Sequence, residues 1–139
     1  MTSLPDRHRL ARIQRDIAEH GVHVAVADVD LPLLHTVGHA AVHTLPELMI
    51  VGAAEPLART VLTELSAQMR AGWAAPTTPD RVVDVDGCAV RFRRRAPSRG
   101  DVELLPIAQR FTEVLWPGAS IDIVEVVVAA PTAELSMAS

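Results

Sequence analysis

The chain has 139 residues, of which 49% are apolar and 22% are charged, and its formal net charge is −4. This size and composition are typical of one globular domain and exclude a disordered or fibrous chain. The acidic balance argues against nucleic-acid binding, because phosphate contacts dominate the affinity of such proteins. We predict a single domain over residues 1–139, with an ordered core over 4–130, a tail over 131–139 and no nucleic-acid partner.

The residue types further limit the compartment and the chemistry. Cys88 is the only cysteine, which excludes an internal disulfide and a thiolate zinc cluster and suits a reducing cytosol. The apolar run over residues 121–130 contains two carboxylates and is too short to span a bilayer. All 13 basic residues are arginine, so a Schiff-base lysine and a phosphate-loop lysine are excluded. We expect a cytoplasmic protein with no membrane partner and no cofactor.

Apolar periodicity and turn residues divide the chain into nine predicted elements. They are a helix over 4–20, strands over 22–28, 33–38 and 48–52, a helix over 56–71, strands over 81–85 and 88–94, a helix over 105–115 and a strand over 120–129. A capping box formed by Ser3 and Asp6 favours the first helix, and the dipeptide at 86–87 favours a tight turn between two strands.

Because short connections join most neighbouring strands, this order of elements predicts an α+β fold. We expect a mostly antiparallel sheet of about six strands with three helices packed on one side of it. The last strand, over residues 120–129, is apolar on both faces. That pattern places it in the middle of the sheet.

Two motifs lie close together before the second helix. His-Thr-Val-Gly occupies residues 35–38 and Leu-Pro-Glu-Leu-Met-Ile-Val-Gly occupies 45–52, while the helix itself ends in Arg-Ala-Gly at 70–72. With these residues the chain resembles a bacterial family known as domain of unknown function 4262, over about residues 10–130. It departs from the family pattern at His35, where an aromatic residue is usual, and in its Trp-Pro pair, which precedes the last strand. The resemblance implies a small bacterial α+β domain and carries no activity.

Histidines are concentrated in one part of the chain, since five of the six lie between residues 20 and 43. On a helix, His35, His39 and His43 would share a face and could bind a metal together with Glu47. The glycine and proline in this segment favour strand and loop instead. On a strand His35 and His39 would be about 13 Å apart, which is too far for one ion.

One arrangement of a metal site is compatible with strands in this segment. His23 and His35 could be neighbours across two strands, with Asp28 or Glu47 completing the site. The alternative is a set of partly exposed histidines and one hydrogen-bonded histidine in the core. We favour the alternative and predict no metal.

Without a metal, a histidine beside a carboxylate can act as a general acid or base. His35 is the candidate proton-transfer group, with Glu47 or Asp122 as the carboxylate that orients it. Asp122 and Glu125 lie in an otherwise apolar strand, where an unpaired buried charge is costly. The alternative is that one lies at the rim of the sheet and the other pairs with an arginine.

Arginines form the second candidate site. On a strand Arg91, Arg93 and Arg95 share a face, and guanidinium groups suit carboxylate and phosphate. We predict Arg91 and Arg93, together with His23 and His39, as ligand-binding residues. The alternative is a solvated edge strand whose charges prevent aggregation.

Two hypotheses about function follow. In the first, the domain binds a small molecule, which can be anionic, near the histidine segment and performs acid–base chemistry on it as an accessory enzyme of bacterial metabolism. In the second, it is a non-catalytic interaction module that works as a homodimer or with a protein partner. Its contact surface would then be the arginine strand or the first helix. In both cases we expect a homo-oligomer.

Overall fold

The computed structural model describes residues 4–27, 32–76, 81–98 and 105–128. Its elements in chain order are α1 (Leu4–His20), β1 (His23–Ala27), β2 (Leu33–Val37), a π-helical turn (His39–His43), β3 (Glu47–Val51), α2 (Glu55–Arg70), β4 (Val83–Val85), β5 (Cys88–Ser98), α3 (Pro106–Leu115) and β6 (Ile121–Val128). The order and type of the predicted elements are confirmed. Ser3, Asp28 and the predicted tail lie outside the described residues.

The six strands form one mixed sheet in the order β1-β2-β3-β6-β5-β4. All neighbouring pairs are antiparallel except β3 and β6, which are parallel. The mostly antiparallel sheet is therefore confirmed, with one parallel pair where the last strand returns beside β3. The central place of β6 is also confirmed, and its apolar residues on both faces explain that place.

Helices cover both faces of the sheet, so the prediction of helices on one side is wrong. One buried cluster joins α2 to the sheet and includes Leu34, Ile50, Leu62, Leu65 and Phe92. A second cluster joins α1 and α3 to the sheet and includes Ile13, Val37, Met49, Phe111 and Ile123. Successive side chains of a strand point to opposite faces, and the central strands are apolar on both, so each face needs its own helical cover.

The second helical layer covers only part of its face. Its buried cluster draws on β1, β2, β3 and the start of β6, and it contains none of the described side chains of β4 or β5. On the same face β5 carries Arg91, Arg93 and Arg95, all exposed. None of the helices that the structure describes has the length and apolar character that a membrane span requires.

Candidate functional site

Glu47 is buried at the start of β3, and its carboxylate accepts four hydrogen bonds. The Thr36 hydroxyl donates at 2.7 Å, and the backbone N–H groups of Gly38, His39 and Ala40 donate at 3.2 Å each. Gly38 has a φ of 110°, which glycine adopts readily and which turns the chain from β2 into the π-helical turn. The turn thereby directs three successive N–H groups at one carboxylate.

The environment of Glu47 acts on its pKa in two opposite directions. Burial raises the pKa and the four donated hydrogen bonds lower it, and the net pKa is about 7, above the ordinary value of 4.5. All four partners are donors, so a proton on either carboxylate oxygen would displace one of them. The hydrogen bonds therefore favour the ionised carboxylate and burial favours the neutral acid, and burial has the larger effect on the pKa.

His39 connects this turn to α2. Its Nδ1–H donates to the carbonyl of Pro46 at 3.0 Å, and its Nε2 accepts from the hydroxyl of Ser66 at 2.7 Å. Arg70 extends this series of hydrogen bonds, because its Nε–H donates to the Ser66 oxygen at 3.2 Å. Burial lowers the pKa of His39 to about 4. Both ring nitrogens of this predicted ligand residue are thus engaged within the fold.

His35 is buried in β2 on the face covered by α1 and α3. Its Nδ1–H donates to the carbonyl of Thr36 at 3.0 Å, and burial lowers its pKa to about 4. Its Nε2 has no hydrogen-bond partner among the described residues. His35 and Glu47 make no hydrogen bond to each other, since the four bonds of Glu47 come from other groups. The structure therefore does not join the predicted proton-transfer group to its predicted carboxylate.

His23 lies next to His35 on the sheet but not directly opposite it. His23 pairs with Val37 in the strand register, whereas His35 pairs with Ala25. The Nδ1 of His23 lies 2.6 Å from a carboxylate oxygen of Asp16, and the His23 side chain is 18% exposed. Within the described ranges, no group of three or more His, Cys, Asp and Glu side chains is placed to hold a metal ion.

The two carboxylates of β6 have different surroundings. Asp122 is exposed on the strand. Glu125 accepts hydrogen bonds from Arg93 at 3.4 Å and from Arg95 at 3.3 Å, and its side chain is 14% exposed. One carboxylate is thus solvated and the other is paired with arginine, which is the alternative that the strand pattern left open. Arg91 is exposed and has no ion pair among the residues that the structure describes.

Three features of this region were not predicted from the sequence. They are the π-helical turn, the hydrogen bonding of Ser66 and the placement of Trp116. Ser66 is a polar residue inside the apolar stripe of α2, and that interruption was the available signal. Trp116 donates its Nε1–H to the carbonyl of Ala41 at 3.2 Å, although the residue is 60% exposed. No local pattern indicates that contact, because it joins residues that are distant in the chain.

A cavity of about 440 Å³ lies between the segment that follows α2 and the start of β4. It is lined by Trp73, Ala74, Pro76, Arg81, Val82 and Val83. None of the residues predicted for catalysis or ligand binding takes part in this lining. The cavity is therefore separate from the histidine segment.

Comparison with known proteins gives one relationship. No curated protein and no solved structure matches the chain. A profile of one protein family, described as domain of unknown function (DUF4262), matches residues 16–133. The match begins within α1 and extends beyond β6, so it includes every strand and the whole histidine segment. The chain therefore belongs to the DUF4262 family.

Proposed function

We propose that this domain is a non-catalytic interaction module that binds an acidic segment of a partner protein. The proposed contact surface is the arginine face, which consists of Arg91, Arg93 and Arg95 of β5 with Glu125 and Val127 of β6. The observation that carries the proposal is the excess of positive charge there, because three exposed arginines face a single carboxylate.

The geometry of the arginine face suits an acidic chain. Alternate residues of a strand project from one face at about 6.6 Å spacing, which resembles the spacing of alternate side chains in an extended peptide. Val127 lies opposite Arg91 in the register and is 36% exposed, so it adds an apolar contact. Guanidinium groups bind carboxylates through two parallel hydrogen bonds, which favours an acidic partner.

Charge on the face is only partly neutralised. Arg93 and Arg95 share Glu125, while Arg91 has no ion pair among the described residues. Arg93 and Arg95 are themselves exposed, so carboxylates of a partner can bind their guanidinium groups from the solvent side while Glu125 stays in place. The whole chain has a net negative charge, so this positively charged face is a local exception. Anions are therefore attracted to this face and not to the protein surface in general.

The acid–base hypothesis stays a prediction. His35 and Glu47 are both fully buried, and the hydrogen bonds of each end within the fold. A substrate would have to open the sheet region around β2 and β3 to reach them. The exposed arginine face needs no such rearrangement, and this contrast is why we place the interaction module first.

The test measures binding of a fluorescein-labelled decapeptide of glutamate by fluorescence anisotropy. Reversing two charges in the Arg91→Glu/Arg93→Glu variant should weaken binding at least about tenfold, since both positions would then repel the peptide. The matched control is Arg12→Glu/Arg15→Glu on α1, where both residues are exposed and the net charge changes equally. The control should bind within about twofold of the unchanged protein.

Three outcomes would overturn the proposal. Equal weakening in both variants would show an effect of net charge alone. Equally tight binding of a single-stranded oligonucleotide of the same charge would show that the face does not select protein. Ultracentrifugation could also detect self-association that Arg91→Glu/Arg93→Glu abolishes and the α1 control does not. The arginine face would then bind a second copy of this chain and not an acidic partner.

A further inference from the structure

Arg70 at the end of α2 is partly buried, and it has no carboxylate partner in the part of the chain that the structure describes. Its Nε–H donates to the Ser66 hydroxyl at 3.2 Å. Among the described residues its two terminal nitrogens make no hydrogen bond and no ion pair. A guanidinium group carries five N–H donors, so its outer edge has four donors that none of the described residues uses. The terminal nitrogens are not among the buried side-chain atoms that lack a partner, so this edge of a partly buried residue is open to a ligand.

The guanidinium is held in place against the turn between α1 and β1. A Cβ atom at Gly21 would lie 2.1 Å from a terminal nitrogen of Arg70 and 2.4 Å from its central carbon. Only a residue without a side chain therefore leaves room for the arginine there. The long side chain lies against Gly21 and is hydrogen-bonded to Ser66, so it is already ordered in the free protein. Binding a ligand therefore costs little further side-chain entropy.

Among the described residues, no carboxylate forms an ion pair with Arg70. His43 donates from Nε2 to the carbonyl of Gly21 at 2.8 Å, and His39 uses its Nε2 to accept from Ser66. The carboxylate of Glu47 is occupied by its four donors in the interior. The groups around the arginine are thus imidazoles, a hydroxyl and backbone.

We infer that Arg70 is a binding site for the oxyanion of a small molecule, either a carboxylate or a phosphate group. Two oxygens of such a group match the two terminal nitrogens in a bidentate arrangement. Ser66 and Gly21 position the arginine and do not themselves contact the ligand. This site lies on α2 and is independent of the arginine face on β5.

The experiment follows the Nε–H signals of the arginines by NMR during separate titrations with acetate and inorganic phosphate. In the unchanged protein the Arg70 signal should shift and saturate with a dissociation constant of about 1–10 mM, as expected for one isolated group. The matched control residue is Arg59, an exposed arginine on the same helix that pairs with Glu55 at 3.8 Å. Its signal should shift at least about fivefold less.

Variants separate this site from the arginine face. In the unchanged protein the backbone N–H signal of Gly21, against which the guanidinium lies, should saturate together with the Arg70 Nε–H signal. In Arg70→Lys, which has no Nε–H, the Gly21 signal should no longer saturate, because lysine lacks the planar fork. Arg59→Lys and Arg91→Glu/Arg93→Glu should titrate like the unchanged protein. A shift at Arg70 that stays linear to about 50 mM, or equal shifts at Arg70 and Arg59, would show adventitious ion contact and overturn the site. The measurement on the unchanged protein decides the question even if Arg70→Lys does not fold. Saturation by phosphate alone would identify a phosphate-bearing ligand, and saturation by acetate would identify a carboxylate.

Discussion

Thr36 donates its hydroxyl hydrogen to the carboxylate of Glu47 over 2.7 Å, at the point where the ladder between β2 and β3 ends. The same hydroxyl oxygen accepts the backbone N–H of Leu48 at 2.8 Å. The last registered pair before this point is His35 with Met49. One side chain therefore continues the hydrogen bonding of two strands and also holds the buried carboxylate that organises the π-helical turn.

Replacing Thr36 by valine should destabilise the protein while preserving its shape. Thr36→Val leaves the Leu48 N–H and one carboxylate contact without partners in a buried place, and each such loss costs about 1–3 kcal/mol. We expect the free energy of unfolding in urea to fall by about 3 kcal/mol. Thr36→Ser retains the hydroxyl and should lose less than half as much. An unfolding free energy for Thr36→Val within about 0.5 kcal/mol of the unchanged protein would contradict the role of this hydroxyl.

The carboxylate of Glu47 should give stability a characteristic pH dependence. Its pKa is raised from 4.5 to about 7, so the folded chain holds a proton between those values that the unfolded chain has released. The associated stabilisation is present below pH 4.5 and is lost as the pH rises through 7, at up to about 1.4 kcal/mol per pH unit. Glu47→Gln should remove this pH-dependent contribution to the free energy of unfolding. It should also place an amide N–H₂ group against backbone N–H donors. Urea titrations from pH 5 to pH 8 test both effects, and an unchanged slope in the variant would speak against a shifted Glu47.

The two buried histidines should act in the opposite direction. The pKa values of His35 and His39 are lowered from 6.5 to about 4, so the folded chain binds fewer protons than the unfolded chain in that window. Their contribution to stability is lost as the pH falls from 6.5 to 4. Since there are two such groups and one Glu47, the net stability of the unchanged protein should rise by about 1.4 kcal/mol per unit between pH 4.5 and 6.5.

Separate substitutions should distinguish the two histidines. His35→Met removes an imidazole whose Nε2 is unpartnered, so the loss of stability between pH 7 and pH 5 should shrink by about 2 kcal/mol. His39→Met removes the partner of both Ser66 and Pro46 and should be destabilising at either pH, by about 2–4 kcal/mol. Equal effects of the two substitutions at pH 7 would mean that the hydrogen bonds of His39 contribute little.

Gly38 should tolerate alanine less well than Gly52 does. Both have positive φ values, 110° and 82°, so alanine strains the backbone at either position. A Cβ atom at Gly38 would also lie 2.7 Å from Ile17 of α1, whereas nothing lies within 4 Å at Gly52. We expect Gly38→Ala to cost about 1–3 kcal/mol more than Gly52→Ala in urea unfolding. Similar costs would show that α1 moves aside without penalty.

Local patterns predicted most of the architecture. The alternation over residues 22–28, the apolar stripe of α2 and the turn between β4 and β5 depend on near neighbours in the chain, and each predicted element is present. The apolar character of β6 on both faces even predicted its place in the sheet. The side on which each helix packs was not predicted correctly, because hydrophobic periodicity identifies a buried face but not the partner that buries it.

The candidate site was predictable only as a list of residue types. Sequence spacing favoured strand and loop for the segment of His35 and His39, and the structure has β2 followed by the π-helical turn there. The spacing did not indicate that Glu47 would accept N–H groups of that turn, or that Ser66 would bond to His39 across 27 positions of the chain. Such contacts depend on the tertiary packing that brings β3 and α2 next to the π-helical turn.

The sequence by itself therefore determined the class of fold, the order of its elements and the family, because these depend on local spacing, turn residues and short motifs. Only the tertiary structure decided which polar groups are buried, which are paired and which face the solvent. The physical reason is that burial raises the cost of an unpaired charge or hydrogen-bonding group, and burial depends on contacts between distant segments. The same packing that enclosed Glu47 and His39 left the arginines of β5 exposed and placed none of the described carboxylates within ion-pair distance of Arg70.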